Sequence, residues 1–589
     1  MIASLKVADI IILAAGLASL VYAGVRNAKQ EENASEYFMA GRNLPWWSVA
    51  GSIYGTNVSL SQIIGMLGIG YSIGFAQSHY ELLAIPAILT LCHLFIPAYR
   101  RHNAFTLSQF LGDRYNESAR ILYTFLLLAI IIILLVGGLY IGSRQLGLLF
   151  GGTAYQPTYL QGIVLISSVS CLLVLFGGMH AVVKAENIIT ILMVLTVITV
   201  GLCTLLQPEI GGFTGLLKLD ASTEGMDKMK LYLPSDHPDL PWTGVFSGLL
   251  VLHGFFWTTN QFEVQRALAA RSDRDAQLGA IAAGFLKLTI PFFSISAGVA
   301  AAYLFKTRFA QTVVKPDDAF IYLLTQVVPQ GFGLIGLILT GFIGAIFSSI
   351  YSMLNSLSTI VAVDLYQRHS NPGASDRQLV RIGRYSVVAT CIMGGGLAWW
   401  SFDPGSDGNF FLTLSRNTSY FKPGIVSAFL LGILWTRVHR ISATVAIMAA
   451  PILSVLVEIL YAEWLSEFPP WRALFGLELN FLHRVFVVFV LCVGIQVLMT
   501  LTARDSRENV VGFTEWNIRS AAPLLWYTMI QLTGISLIFM ANIPTRLMAW
   551  PVALISLIAL TGKSPFRDGV RWWSSLLAAI MTWSMYYFA

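Results

Sequence analysis

Charge is what this sequence has least of. Only 12% of its 589 residues are Asp, Glu, Lys or Arg, against roughly 25% in soluble proteins. So few charges cannot cover a water-facing surface for 64.7 kDa, so most of the exterior faces lipid. Cysteine is scarce as well. Cys92, Cys171, Cys203, Cys391 and Cys492 all fall inside apolar runs, and none stands at CxxC or metal-binding spacing. They read as small apolar fillers. No basic tract exists, so the net charge of +6 is not a nucleic-acid footprint. Neither HExxH, nor GxSxG in its strand-turn-helix context, nor a pair of intramembrane acids at catalytic spacing is found, which argues against a membrane enzyme.

Apolar residues fill the gap, at 56% of the chain. A β-barrel would show alternating segments of about 10 residues. Here the runs approach a full helical span, as from Ile121 to Gly142 and from Ala185 to Leu206. The expected class is therefore an all-α polytopic membrane protein. Hydropathy gives about sixteen spans. They lie near 7–25, 45–74, 80–98, 119–142, 158–178, 185–206, 242–265, 278–305, 332–365, 382–402, 409–435, 441–462, 481–502, 522–541, 546–561 and 572–588. Val7 to Val25 is too long for the apolar core of a signal peptide and is read as a membrane helix. With the N-terminus outside, most of the 37 basic residues fall in inside loops, as the positive-inside rule requires. The longest outside loop, 207–241, is too short for a soluble catalytic domain.

Two spans differ from the rest. Pro45 to Tyr71 holds Gly51, Gly55, Gly65, Gly68 and Gly70 around Thr56-Asn57-Val58-Ser59-Leu60-Ser61-Gln62. Pro241 to Gln265 opens on the same Pro-Trp pair and centres on Trp257-Thr258-Thr259-Asn260-Gln261. Small and polar residues can simply pack helices closely. At matching places in two halves they predict helices that unwind at mid-membrane, freeing carbonyls to line a cavity. A third span adds Ala345, Ser348, Ser349, Ser352 and Ser356 on one helical face. Hydroxyls and carbonyls suit a hard cation, although close packing produces the same stripe.

Tyr37-Phe38-Met39-Ala40-Gly41-Arg42 with Pro45-Trp46-Trp47 resembles the opening motif of sodium:solute symporters. So does Asn355-Ser356-Leu357-Ser358-Thr359-Ile360 leading to Asp364-Leu365-Tyr366. Trp257-Thr258-Thr259-Asn260-Gln261 with Val264-Gln265-Arg266 is similar to the sodium–glucose cotransporter branch. The resemblance implies a LeuT-type core of two inverted five-helix repeats, with one extra N-terminal helix and about five extra C-terminal helices. On that plan 1–44 is the N-terminal helix and first cytoplasmic loop, and 45–206 the first repeat. Then come an extracellular loop at 207–241, the second repeat at 242–436, and peripheral helices at 437–589.

The resemblance also implies functional residues. A sodium site falls on the carbonyls of Gly55, Val58 and Ala345 and the hydroxyls of Ser348 and Ser349. A second sodium site, found in some members, would use Glu186 and Ser352, with Tyr351 beside them. Glu186 reads equally well as a partner of Lys184 or an acid at the cytoplasmic mouth. Substrate contacts fall on Asn57, Gln62, Glu81, His253, Phe256, Trp257, Lys287 and Ser415. Ionisable residues in membrane spans are costly and usually functional, and Phe256 and Trp257 offer a flat apolar face to a pyranose. Glu81 and Lys287 also read as a structural pair. The family shows tyrosine at the place of Phe256 and glutamine at that of Ser415, so two polar contacts are lost. Arg416 and Lys422 are unusual additions that favour an anionic solute.

The implied activity is sodium-coupled import of a sugar or polyol by alternating access, at the plasma (inner) membrane. The coupling ion is Na+, with no other cofactor, no nucleic acid and no obligate protein partner. A same-fold symporter for sialic acid, a carboxylate or an amino acid is the alternative. A sodium or solute sensor or channel without transport is a third reading.

Overall fold

The computed structural model describes residues 5–25, 33–58, 60–102, 105–151, 156–308, 314–401, 410–503, 549–556 and 569–588. The expected span at 522–541, and residues 546–548 and 557–561 of the next, lie outside the described residues. Those described are helical, and the only β-bridges among them are isolated. In chain order the principal helices are α1 (Val7–Val25), α2 (Trp46–Asn57), α3 (Leu60–Ser72), α4 (Phe75–Arg101), α5 (Glu117–Leu149) and α6 (Tyr159–Leu205). There follow α7 (residues 242–259), α8 (Gln261–Leu268), α9 (Asp273–Arg308), α10 (Leu334–Ser370), α11 (Asp376–Ser401), α12 (Phe410–Thr418) and α13 (Lys422–Leu434). Last come α14 (Ser442–Glu463), α15 (Phe481–Thr502) and α16 (Gly569–Tyr587).

Local chemistry starts these helices. The side chains of Asn116, Thr158 and Ser272 each accept from a backbone N–H in the first turn of α5, α6 and α9, satisfying donors that have no partner within the helix. Seven described helices are long and apolar enough to cross a membrane. Their outer faces carry large apolar side chains such as Ile191, Ile452 and Leu498, as lipid contact requires.

The expected spans 158–178 and 185–206 have no loop between them. The chain continues through Gly178, at φ 50° and ψ −156°, and Lys184 lies within α6. Only glycine adopts that backbone readily. The lower part of α6 packs against α10 so closely that a Cβ on Gly341 would lie 2.3 Å from Thr196 Oγ1.

Three arginines outside or at the ends of the expected spans are buried. Arg114 donates from Nε to the Gly432 carbonyl and from Nη2 to that of Trp435, both at 2.7 Å. It thereby caps the C-terminal end of α13, whose last carbonyls lack helical partners. Arg120 pairs with Asp364 at 2.8 Å. Arg266 is fully buried within the helical core.

Candidate functional site

Both expected helix breaks are present, and both are shorter than the sequence suggests. α2 stays helical through Gly55 and Asn57. The chain departs at Val58, with φ −80° and ψ 80°, and α3 begins at Leu60. Only the C-terminal turn of α2 has carbonyls without helical partners. That of Thr56 accepts from Ser349 Oγ on α10 at 3.4 Å. Gly55 lies against α6, where a Cβ would come within 2.8 Å of Thr190 Oγ1 and 3.0 Å of the Glu186 carbonyl. On α10, Ser348 Oγ donates to the Ala345 carbonyl at 3.3 Å. Gly55 and Val58 thus stand at one helix end, and Ala345, Ser348 and Ser349 stand on the helix tied to it.

In the second half, residues 255–259 are wound as a π-helix, a form frequent at functional sites. The chain breaks only at Asn260, at φ −99° and ψ 117°. The neighbouring carbonyls are already used. Tyr99 Oη donates to Thr258 O and Tyr123 Oη to Thr259 O, each at 2.7 Å. This break is therefore stitched to α4 and α5.

Between the two breaks lies a cavity of ≈ 160 Å³, room for on the order of ten water positions. All eight residues expected to contact substrate line it: Asn57, Gln62, Glu81, His253, Phe256, Trp257, Lys287 and Ser415. They come from α2, α3, α4, α7, α9 and α12, so no single segment makes the site. Lys287 Nζ sits 2.6 Å from Glu81 Oε2 and donates to Asn57 Oδ1 at 2.5 Å. Gln62 Nε2 donates to Glu81 Oε1 at 2.5 Å. The Lys287 ammonium also lies 5.3 Å from the centroid of a Trp257 ring, within cation–π range. Each member thus fixes the rotamer of another, and a solute entering this space meets charged and amide groups already held in place.

Arg416 and Lys422 part company. Lys422 lines the cavity. Arg416 faces a different depression beside Asp236 and Glu478, and lies 3.8 Å from Glu458. It therefore lends no support to an anion in the central cavity.

Glu186 is neither a loop acid nor a partner of Lys184. It is fully buried, and its carboxylate accepts from Ser52, from Thr56 at 2.7 Å and from Ser352. The Arg266 guanidinium stands 3.3 Å away. The structure brings Glu186 and Ser352 together but sets a fixed positive charge against them. Tyr351, on the same turn of α10, is buried with a hydroxyl that makes no hydrogen bond.

Sequence reasoning missed other members. Tyr80 lines the cavity with an unpartnered hydroxyl. Phe411 also lines it and meets Tyr80 edge to face. Glu263 and Asn260 are buried beside the second break, and their side-chain polar atoms make no well-formed hydrogen bond. An acid within a span was the available signal for Glu263; nothing in the sequence singles out Tyr80.

The residues that carry the resemblance act largely as struts. Gln265 Nε2 donates to the Phe38 carbonyl at 2.7 Å, and Ser356 Oγ donates to Gln265 Oε1 at 2.7 Å. The segment after Asn33, α8 and α10 are thereby joined.

The sequence model of the sodium:solute symporter family matches residues 37–450. The sodium/glucose cotransporter of Vibrio parahaemolyticus is 30% identical over 466 residues, which is 75% of this chain and 83% of that protein. The mouse sodium/myo-inositol cotransporter 2 is 26% identical over 551 residues, 87% of this chain and 78% of that one. The solved substrate-bound, outward-open structure of a Na+-coupled sialic acid symporter superposes with a TM-score of 0.71 at 20% identity, covering 85% of this chain and 98% of that one. This likeness identifies the fold as the LeuT type. The protein is a membrane-embedded transporter rather than an enzyme, and the chain belongs to the sodium:solute symporter family.

Proposed function

We propose that the protein imports a small polyhydroxylated solute together with Na+, by alternating access across the plasma (inner) membrane, with its N-terminus outside. The observation that carries this reading is the cavity, where Asn57, Gln62, Glu81 and Lys287 form one bonded network beside the aromatic faces of Phe256 and Trp257. A carboxylate accepts from sugar hydroxyls, an ammonium donates to them, and a ring covers the apolar face. Sugar and inositol cotransporters among the relatives support the same class.

In this reading Na+ binds the carbonyls of Gly55, Val58 and Ala345 and the hydroxyls of Ser348 and Ser349. The ion joins the end of α2 to α10, a contact otherwise held by the 3.4 Å bond from Ser349 to Thr56. Sodium binding would thereby fix the wall from which Asn57 projects, which couples ion to solute. Membrane potential adds about 2.3 kcal/mol per charge per 100 mV to the driving force. We assign Glu186, Ser352 and Arg266 to a charged tie between α6, α10 and α8, and propose one sodium site.

A thermal-shift panel tests this on purified protein, in NaCl and in choline chloride. Ligands that bind only the native state raise the melting temperature by mass action. Hexoses or inositols should stabilise only with Na+. Stabilisation by amino acids instead would refute the solute class, and equal shifts in choline would refute the coupling.

A further inference from the structure

Lys422 lies in the wall of the cavity and has no counter-ion among the described residues. The other ammonium there, Lys287, is matched by Glu81 at 2.6 Å. Among the described residues no carboxylate lies within ion-pair distance of Lys422. Its Nζ donates to Thr418 Oγ1 at 2.7 Å and lies 5.5 Å from the ring centroid of Phe255. Thr418 in turn donates to the Leu414 carbonyl at 2.9 Å, so a neutral hydroxyl and an aromatic face are what meet this group among the described residues. An ammonium held at membrane depth is costly unless a functional partner meets it.

Two further groups on the same wall point to that partner. His253 Nε2 and the Tyr80 hydroxyl are buried, line the cavity and make no hydrogen bond. Their rings meet at 6.2 Å, and His253 lies within electrostatic reach of both Lys287 and Lys422. An unbonded buried donor is destabilising until a ligand satisfies it. An ammonium with two neutral donors is a set that fits the oxygens of a carboxylate. Glu81 matches Lys287, which leaves Lys422 as the amine of the cavity wall that no carboxylate meets within ion-pair distance among the described residues, and a solute carboxylate would supply that partner.

We propose, resting on the polyhydroxylated-solute reading above, that the solute is a sugar acid or polyol acid. Its hydroxyls engage Glu81, Gln62 and Asn57. Its one carboxylate engages Lys422, His253 Nε2–H and the Tyr80 hydroxyl. Neutral hexoses and inositols then bind as incomplete ligands that leave Lys422 unmatched.

The test is uptake by the full-length protein in liposomes under an inward Na+ gradient, using pairs that differ in one group. The probes are glucose against glucuronate, galactose against galacturonate, and sorbitol against gluconate. The acid of at least one pair should show a KM at least tenfold below that of its neutral partner. Lys422→Gln should erase that preference, and Lys422→Arg should keep it. Tyr80→Phe should shrink the acid-over-neutral KM ratio several-fold, which gives a second readout if Lys422→Gln does not fold. Uptake of neutral members with no preference for any acid would overturn the carboxylate subsite and leave the polyhydroxylated-solute reading standing. If no member of any pair is taken up, both readings fall.

Discussion

Glu81→Gln separates the two roles of the cavity network. The substitution keeps the shape of the side chain and removes its charge. Lys287 then loses its carboxylate partner and keeps Asn57 Oδ1 at 2.5 Å, the face of Trp257 at 5.3 Å and at most a neutral amide oxygen at position 81. Removing one partner of a buried pair costs about 3–5 kcal/mol. This pair borders a cavity, which hydrates it in part, so the lower end, about 3 kcal/mol, is the expected loss. Replacing both groups by apolar residues of similar volume is near neutral in stability. Glu81→Leu with Lys287→Met should therefore cost far less than the sum of the two single substitutions Glu81→Leu and Lys287→Met, a strongly non-additive double-mutant cycle.

Solute affinity should behave differently. Hydrogen bonds to a charged group contribute about 1.5–3 kcal/mol, or about 10- to 150-fold in Kd. Neither the single nor the double variant can recover that loss. The assay is thermal denaturation of detergent-purified protein, with solute binding measured on the same samples. A double variant that binds solute like the wild type would refute the ligand role and leave the pair purely structural. A single variant that loses less than about 1 kcal/mol would refute the claim that the pair is desolvated.

Other perturbations have equally definite outcomes. Ser348→Ala with Ser349→Ala should abolish sodium dependence of solute binding, checked by titrating NaCl at constant ionic strength; sodium-dependent binding that survives would remove these hydroxyls from the ion site. Gly55→Ala places a methyl 2.8 Å from Thr190 Oγ1 and 3.0 Å from the Glu186 carbonyl, so α2 must shift and sodium affinity should fall at least tenfold. Arg266→Met strands the buried Glu186 carboxylate and should cost about 3–5 kcal/mol, with Glu186→Gln added to it restoring most of that; denaturation midpoints of the two variants against the wild type decide it. Gly248→Ala puts a methyl 1.8 Å from the Leu482 carbonyl, forcing α7 from α15, and should cost about 1–3 kcal/mol while leaving sodium affinity unchanged.

The helical membrane class was legible because low charge and long apolar runs leave few alternatives. The breaks in α2 and between α7 and α8 were legible as positions, from Gly-rich and Thr-Asn-Gln centres. Their short length was not. The π-helical winding of 255–259 keeps most of that segment coiled, and the hydroxyls of Tyr99 and Tyr123 take up the carbonyls beside the break. Those tyrosines lie far away in sequence, and no local pattern marks them. The eight cavity residues were found through resemblance, which assigns roles position by position. Spacing alone would not have joined Glu81 to Lys287. Arg266 and Glu186 show the opposite failure. Each lies close to a boundary drawn from hydropathy, so each read as a loop charge, whereas burial makes them partners at 3.3 Å. Lys422 and Arg416 stand six positions apart in sequence, yet the turn between α12 and α13 sends only Lys422 into the cavity.

Coupling itself is tested most directly by flux. Purified protein in liposomes, loaded with choline chloride and diluted into NaCl, should accumulate the solute identified by thermal shift above its external concentration. Collapse of the gradient with a sodium ionophore should release it, and the Ser348→Ala, Ser349→Ala variant should never accumulate it. Accumulation that survives the ionophore, or equilibration that never exceeds the external concentration, would contradict sodium-coupled symport.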